Sequence, residues 1–364
     1  MFYALRDLRR TRRRFVLVGT VIALIAMLST ILVGLTDGLV EDGTSGLEAL
    51  PLDHLAMQEG SEAVFSRSTL GQRELEAWSE VDGADVSALG VSFVNAASVG
   101  GGPNIDIALF GVPPDSFLVE REQGRDALRG RPGIVLASEA QDEGVRVGDR
   151  FRFAGSDRPL PVLGFTFGGS YGHVPVGYVD IAEWREINYG SRQTDRFSAI
   201  AMRLPEGIDA APNERRTGTA LLTKSEAYAG SPGYSAEMST MSLIRLFLLL
   251  ISALVVGAFF TVLIVERRAQ IGLLRAMGAT GGYVMRDGIG QMAVVQLVAT
   301  TLGCGAGLAV ILALEGGPVP VSFSLGGILT AAAALIAAGL LGTIVSIRRV
   351  NRIEPATALS GAEA

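Results

Sequence analysis

The stretch Glu266–Thr280 has the most informative spacing of residue types in this chain of 364 residues. Ile271, Leu274 and Met277 recur at helical intervals and predict an apolar ridge, which arginines border on either side. Gly278 and the paired glycines that follow are typical of a helix end. A short basic amphipathic helix binds either an anionic lipid surface or a groove in a protein partner. The chemistry indicated here is therefore docking.

Residue types that perform catalysis do not occur in the spacings that known mechanisms need. The sequence has no G-x-x-x-x-G-K-[ST] phosphate loop, no H-E-x-x-H motif and no G-x-S-x-G motif. One cysteine, Cys304, and two histidines, His54 and His173, exclude a disulfide framework and a zinc site rich in cysteine or histidine. We therefore predict that the chain is not an enzyme and has no intrinsic cofactor.

Four apolar blocks flank the docking stretch and the other charged segments. A helix needs about 20 mostly apolar residues to cross a bilayer core. The sequence therefore predicts membrane spans at 15–35, 243–265, 288–314 and 321–347. The first block is longer than the apolar core of a signal peptide, and no A-x-A-like cleavage site follows it, so we interpret it as a retained span.

Arginine is concentrated on one side of these spans. Segments 1–14, 266–287 and 348–364 together hold 13 arginines and five acidic residues. Because positive charge flanking a span marks the cytoplasmic side, we predict a multi-pass plasma-membrane protein with both termini in the cytoplasm. Segment 36–242 and the short turn 315–320 would then lie outside. The net charge of −6 argues against nucleic acid as a partner.

The segment 36–242 is too long for a loop between spans and carries 31 acidic against 17 basic residues. Residues 133–137 read as a buried strand, 139–143 as a short helix, 145–153 as a half-buried strand, and 159–167 as its partner strand. We therefore predict an α-helical membrane protein with four transmembrane helices and an extracytoplasmic mixed α/β domain between helices 1 and 2.

Three motifs carry a resemblance to a known family. Glu266–Thr280 resembles the E-R-R-x-x-I-G-x-L-R-A-x-G-A signature of ABC-transporter permeases of the MacB/FtsX class, also called type VII. The tail from Arg348 to Leu359 is similar to the closing R-R-x-x-R-x-x-P-x-x-A-L of that class, and residues 135–149 resemble its extracytoplasmic domain. The order of one span, a large outer domain and three further spans also matches.

The resemblance implies a homodimer of this permease joined to two copies of a separate ATPase subunit, which would bind ATP and Mg²⁺. The amphipathic helix would be the coupling helix seated in that ATPase. The coupling residues implied are Glu266, Arg267, Arg268, Ile271, Gly272, Leu274, Arg275, Met277 and Gly278.

Within the class, the opening residues 1–8 and the segment 65–70 resemble the haem-exporter permeases. This resemblance implies haem as substrate, in a cleft between protomers at the outer leaflet. Met, Tyr and carboxylate side chains ligate haem iron, and arginine pairs with propionates. Such types near the outer ends of spans 1 and 2 are Met27, Glu41, Tyr234, Met238, Met241 and Arg245.

Two alternatives remain open. The same architecture exports other amphipathic substrates, such as a lipoprotein, a peptide or an antibiotic. FtsX-like permeases instead transmit a mechanical signal to a cell-wall hydrolase outside the membrane, and this alternative predicts an exposed apolar patch on the outer domain.

Overall fold

The computed structural model describes residues 12–119, 122–154, 156, 158–166, 169–190, 194–205, 207–266, 281–317 and 319–350. The chain divides into two compact units. One combines Met1–Gly38 with Met238–Ala364, and the other is Leu39–Glu237. We call them the membrane unit and the α/β unit.

The helices and strands of the described residues follow the order of the chain. They are α1 Arg12–Glu48, β1 His54–Gln58, α2 Gln72–Ser79, β2 Asp85–Ser98, β3 Ile105–Val112, α3 Glu122–Gly130, β4 Ile134–Leu136, α4 Glu139–Asp142, β5 Arg150–Phe153, β6 Leu160–Phe165, β7 Ser170–Tyr171, β8 Val174–Asp180, α5 Ile181–Tyr189, β9 Ala199–Arg203, α6 Ala211–Thr217, β10 Thr219–Thr223, α7 Lys224–Ala227, α8 Tyr234–Glu266, α9 Gly281–Leu314 and α10 Leu325–Val350.

Four of the described helices are long and apolar enough to cross a membrane. The qualifying stretches are Phe15–Glu48, Tyr234–Val262, Ile289–Leu314 and Leu325–Val345. A mixed sheet with short helices lies between the first and second of them in the chain. The predicted fold class of four membrane helices plus an α/β domain is therefore confirmed.

Helices α1 and α8 are longer than the apolar blocks from which they were predicted. Helix α1 continues from the predicted end of span 1 at residue 35 to Glu48, and α8 begins at Tyr234 instead of residue 243. No proline interrupts α1. The hydroxyls of Thr36 and Thr44 donate hydrogen bonds to the backbone carbonyls four residues earlier in the same helix. Hydropathy marks only the part of a helix that lipid can cover, so it misses these polar continuations.

One local prediction needs correction. Residues 145–149 precede strand β5 as a turn, in which Asp149 accepts a hydrogen bond from the Arg146 backbone N–H at 2.8 Å, so the strand is shorter than the alternation indicated. The paired glycines at 281–282 begin helix α9, and the helix end predicted before them lies outside the described residues.

The sheet of the α/β unit is built around the long strand β2. Its first half pairs antiparallel with β9 and its second half with β3, with Val91 opposite Phe110. Its last residues pair with β5. Among the described strands, β2, β3, β8, β4, β6 and β5 thereby close into a ring, and β9, β1 and β10 extend the sheet beyond β2. Strands β3 and β8 are parallel; most other pairs are antiparallel.

Large side chains fill the α/β unit on both sides of the sheet. Trp184 of helix α5 is almost completely buried and lies directly on Gly90 and Gly111, where any Cβ atom would overlap its ring. Its indole N–H donates to Ser92 Oγ at 3.0 Å. The two glycines thus admit a tryptophan between helix and sheet.

The membrane unit uses the opposite principle, because its helices approach through small residues. Gly303 of α9 lies against the backbone carbonyl of Ala23 in α1, and Gly307 lies against that of Met27. Gly342 of α10 lies against the backbone of Ala253 in α8. This close packing suits lipid, where apolar surface gains little from burial against another helix and van der Waals contact decides.

Candidate functional site

Four of the six predicted substrate residues form a stripe on α8. Tyr234, Met238, Met241 and Arg245 follow one another at intervals of four, three and four residues, so they share one face of the helix. All four are half-buried, whereas residues 235, 236, 239, 240 and 242–244 between them are exposed. The stripe therefore lies on the protein-facing side of α8.

Arg245 is the charged end of this stripe. Its Nε atom is buried and has no hydrogen-bond partner among the described residues. A buried guanidinium N–H without a partner is costly, so a carboxylate arriving at this position would gain a charge-assisted hydrogen bond. The stripe thus combines two thioethers, a phenol and one available cationic donor.

The two remaining predicted residues lie on α1. Met27 is half-buried, with its carbonyl against Gly307, and Glu41 is exposed. They are separated by about 21 Å along the axis at the rise of an α-helix. Among the described residues, no side-chain hydrogen bond or ion pair joins any two of the six predicted substrate residues. The structure thus aligns the four residues of α8 and leaves Met27 and Glu41 on two separate levels of α1.

A cluster that the sequence did not point to lies within the α/β unit. The ring of His173 bridges two carboxylates, with Nδ1 2.8 Å from Asp42 Oδ2 and Nε2 3.2 Å from Glu237 Oε1. Ser170 Oγ donates to the Asp42 carbonyl at 2.6 Å. From sequence, His173 is an ordinary turn residue and Asp42 an ordinary acid after a span. Residues 42, 173 and 237 come from three distant parts of the chain, so no local sequence pattern predicts that they are in contact.

The pKa of His173 lies above its ordinary value. Partial burial by itself would lower the pKa of the imidazole, but hydrogen bonds and charges from Asp42 and Glu237 favour its protonated form more strongly. The backbone also has an uncommon conformation at this residue, with φ at +65°. A non-glycine residue held at positive φ is often a feature of a functional or tightly determined turn.

The predicted coupling residues fall mostly outside the described residues. Glu266 is the last residue of α8. The other eight, Arg267, Arg268, Ile271, Gly272, Leu274, Arg275, Met277 and Gly278, lie in segment 267–280, which the structure does not describe. Their helical ridge stays a prediction.

Comparison with known proteins adds to this geometry. Residues 242–355 match the FtsX-like permease C-terminal family. Over its full length the chain is 21% identical to the protein named hemin transport system permease protein HrtB in Staphylococcus haemolyticus, with all of both chains covered. It is also 21% identical to an uncharacterized ABC transporter permease of Mycobacterium tuberculosis, with 99% of both chains covered.

A solved structure also overlaps part of the chain. The crystal structure of the extracellular domain of the noncanonic ABC-type transporter YknZ from Gram-positive bacteria covers 47% of this chain and 98% of its own, at TM-score 0.33 and 15% identity.

The sequence matches show an FtsX-like permease domain and homology along the whole chain to ABC transporter permeases. The chain thus combines four helices that are long and apolar enough to cross a membrane with a C-terminal region similar to FtsX-like permeases. Permeases of ABC transporters work with an ATPase partner, and the permease subunit itself is typically not catalytic.

Proposed function

We propose that this chain is the permease subunit of an ATP-driven exporter that removes haem from the membrane. The observation that carries the proposal is the full-length similarity to proteins named as hemin transport system permeases. The stripe on α8 supports it, because Met and Tyr suit haem iron and Arg245 offers a partner to a propionate.

Under this proposal the permease works as a homodimer with two ATPase subunits. Both termini and the segment 266–287 face the cytoplasm, which the 13 arginines of these segments support. The α/β unit then lies outside the cell. Spans 1 and 2 line the substrate cleft, because they lead directly into the α/β unit in the chain. A planar amphipathic substrate would enter sideways from the outer leaflet.

Hemin titration of the purified permease tests the substrate. We expect a shift of the Soret band at micromolar hemin. Alanine substitution of the true iron ligand changes the Soret position, whereas loss of one wall residue leaves affinity nearly intact, because most of the haem surface is apolar. Each of the six predicted residues is substituted in turn, and Leu254→Ala, on the exposed side of α8, is the control. No Soret shift in the wild-type protein would exclude haem.

The partner ATPase is tested at the coupling ridge. Leu274→Asp or Met277→Asp places a charge in the docking surface, which costs several kcal/mol unless the charge is paired. We expect the ATPase to be lost on co-purification while the permease still inserts. An ATPase recovered at wild-type yield, with normal stimulated activity, would argue against this ridge as the coupling element.

The mechanical-signalling alternative has one observation in its favour, the match to the FtsX-like family itself. It predicts an exposed apolar patch for a hydrolase on the α/β unit. Among the described residues of that unit, the large apolar side chains with high exposure are Phe93, Val99 and Val147. Retention of a cell-wall hydrolase by the wild-type permease, and its loss in Phe93→Ser, would favour signalling over haem export.

A further inference from the structure

The bridge at His173 requires a particular protonation state. Carboxylates at neutral pH only accept hydrogen bonds, and a neutral imidazole has one donor nitrogen and one acceptor nitrogen. His173 faces a carboxylate oxygen with both nitrogens, Asp42 at 2.8 Å and Glu237 at 3.2 Å. Both contacts are favourable together only when the ring is an imidazolium. Removal of the proton leaves an imidazole lone pair facing one of the carboxylates, which is repulsive.

The surroundings hold the ring between these two acids. The turn that carries it, Ser170–Val174, has no charged side chain besides His173, so the charged groups facing the ring are Asp42 of α1 and Glu237 of α8. The Gly172 N–H donates to the Gly43 carbonyl at 3.0 Å, which fixes the turn on α1. The ring is thereby positioned between the two carboxylates.

The two acids belong to the elements by which the α/β unit continues into spans 1 and 2 along the chain. Asp42 lies in the last two turns of α1, and Glu237 lies in the first turn of α8. Ser231 Oγ also donates to the Gly43 carbonyl at 2.7 Å, so the segment before α8 is tied to α1 beside the ring. His173 is thus one of a few polar links that join these two helix ends.

We propose that His173 is a proton-controlled latch that holds the end of α1 to the start of α8 when protonated and loosens this link when it loses the proton. Since both helices lead into predicted spans, the acidity around the α/β unit would set how firmly they are joined. The proposal does not depend on the substrate, and it holds for an exporter and a signalling permease alike.

The sign of the pH effect follows from the pKa. Because the pKa of His173 is raised in the folded state, its contribution is fully present below the ordinary histidine value of about 6.5. The contribution is lost as pH rises through the raised pKa. The latch is therefore closed in mildly acidic medium and open in alkaline medium.

The composition of the chain makes the titration directly measurable. His54 and His173 are the only histidines, so ring signals from full-length permease with labelled histidine in nanodiscs give two resonances. His54→Gln assigns them. We expect the His173 midpoint above about 6.5, and a lower midpoint in both Asp42→Asn and Glu237→Gln. A wild-type midpoint at or below the ordinary value would overturn the latch.

Hydrogen exchange of the same full-length protein tests the mechanical part. After correction for intrinsic rates, amides of 39–48 and 231–240 should lose protection between pH 6 and pH 8.5, by up to the factor by which the folded protein binds the His173 proton more tightly than the unfolded chain does. His173→Asn keeps a side chain that tolerates positive φ but cannot be protonated, so its protection should not follow pH.

A merely structural role for His173 would reduce protection equally at both pH values in the variant. An unchanged pH dependence in His173→Asn would also contradict the proposal. If that variant does not fold, Glu237→Gln provides the test, because it removes one of the two carboxylate charges and leaves the turn intact; its protection should depend less on pH than that of the wild type.

Discussion

The membrane unit and the α/β unit solve the packing problem in opposite ways. The α/β unit buries its largest side chains, including Trp78, Phe110 and Phe197, and two glycines make room for the ring of Trp184. The membrane unit brings backbones together at Gly303, Gly307 and similar positions, and sends many of its large apolar side chains outward. In water, burial of apolar area stabilises a core. In lipid that gain is absent, so close contact between helices takes its place.

One buried polar side chain of each unit gives a second comparison. In the α/β unit, Ser198 Oγ both accepts from the Val91 N–H and donates to its carbonyl, which continues the sheet where the strands part. In the membrane unit, Gln296 Nε2 donates to the Leu335 carbonyl at 2.8 Å, but its Oε1 is buried without a partner among the described residues. The backbone of the sheet depends here on the Ser198 hydroxyl, whereas the membrane helices satisfy their backbone hydrogen bonds internally.

The largest expected effect is on the aromatic core. Trp184→Ala removes a buried ring between helix α5 and the sheet and should lower the free energy of unfolding of the α/β unit by about 3–5 kcal/mol. Hydrogen exchange of the β2 and β3 amides in the full-length protein measures it. Val147→Ala, at a side chain that is 61% exposed, should change it by less than about 0.5 kcal/mol. Equal effects of the two substitutions would show that the core is not built on this ring.

Next in size is a test of glycine packing in the membrane unit. Gly303→Leu forces a side chain against the α1 backbone and should destabilise the unit by about 1–3 kcal/mol or more. Gly305, two residues away on α9, has open space at its Cβ position, so Gly305→Leu is the matched control. Thermal unfolding in one detergent compares them. Similar melting temperatures for both variants would contradict the view that the membrane unit depends on close contact between helix backbones at Gly303.

The smallest expected difference concerns buried polar groups. Ser198→Ala leaves the N–H and carbonyl of Val91 without their partner and should cost about 1–3 kcal/mol. Gln296→Met should cost less than about 1 kcal/mol, because the Leu335 carbonyl retains its bond within helix α10. Hydrogen-exchange protection at Val91 measures the effect of Ser198→Ala, and the melting temperature in detergent measures the effect of Gln296→Met. A larger cost at Gln296 would contradict the comparison.

Much of the architecture could be predicted because segments that contact lipid and segments that contact water differ in hydropathy and charge. Apolar blocks with almost no charge predicted four membrane helices, and strand-like alternation predicted an α/β insertion, and both are confirmed. Hydropathy does not locate a helix end that lies outside the apolar region, as at the end of α1 and the start of α8. The prediction was wrong at residues 145–149, where a turn bonded through Asp149 mimics the alternation of a strand.

The candidate sites divide in the same way. The stripe from Tyr234 to Arg245 follows from helical spacing, and the structure adds that this face is half-buried. Its role in substrate binding stays a prediction, as does the coupling ridge in segment 267–280.

By itself, the sequence determined which segments prefer lipid, which face of α8 carries the thioethers and the arginine, and which family the chain resembles, because all of these depend on neighbours within a few turns. Only the tertiary structure decided that Trp184 seats on Gly90 and Gly111, and that His173 meets Asp42 and Glu237. Such contacts depend on how segments that are distant in sequence pack together. Local periodicity contains no information about that packing.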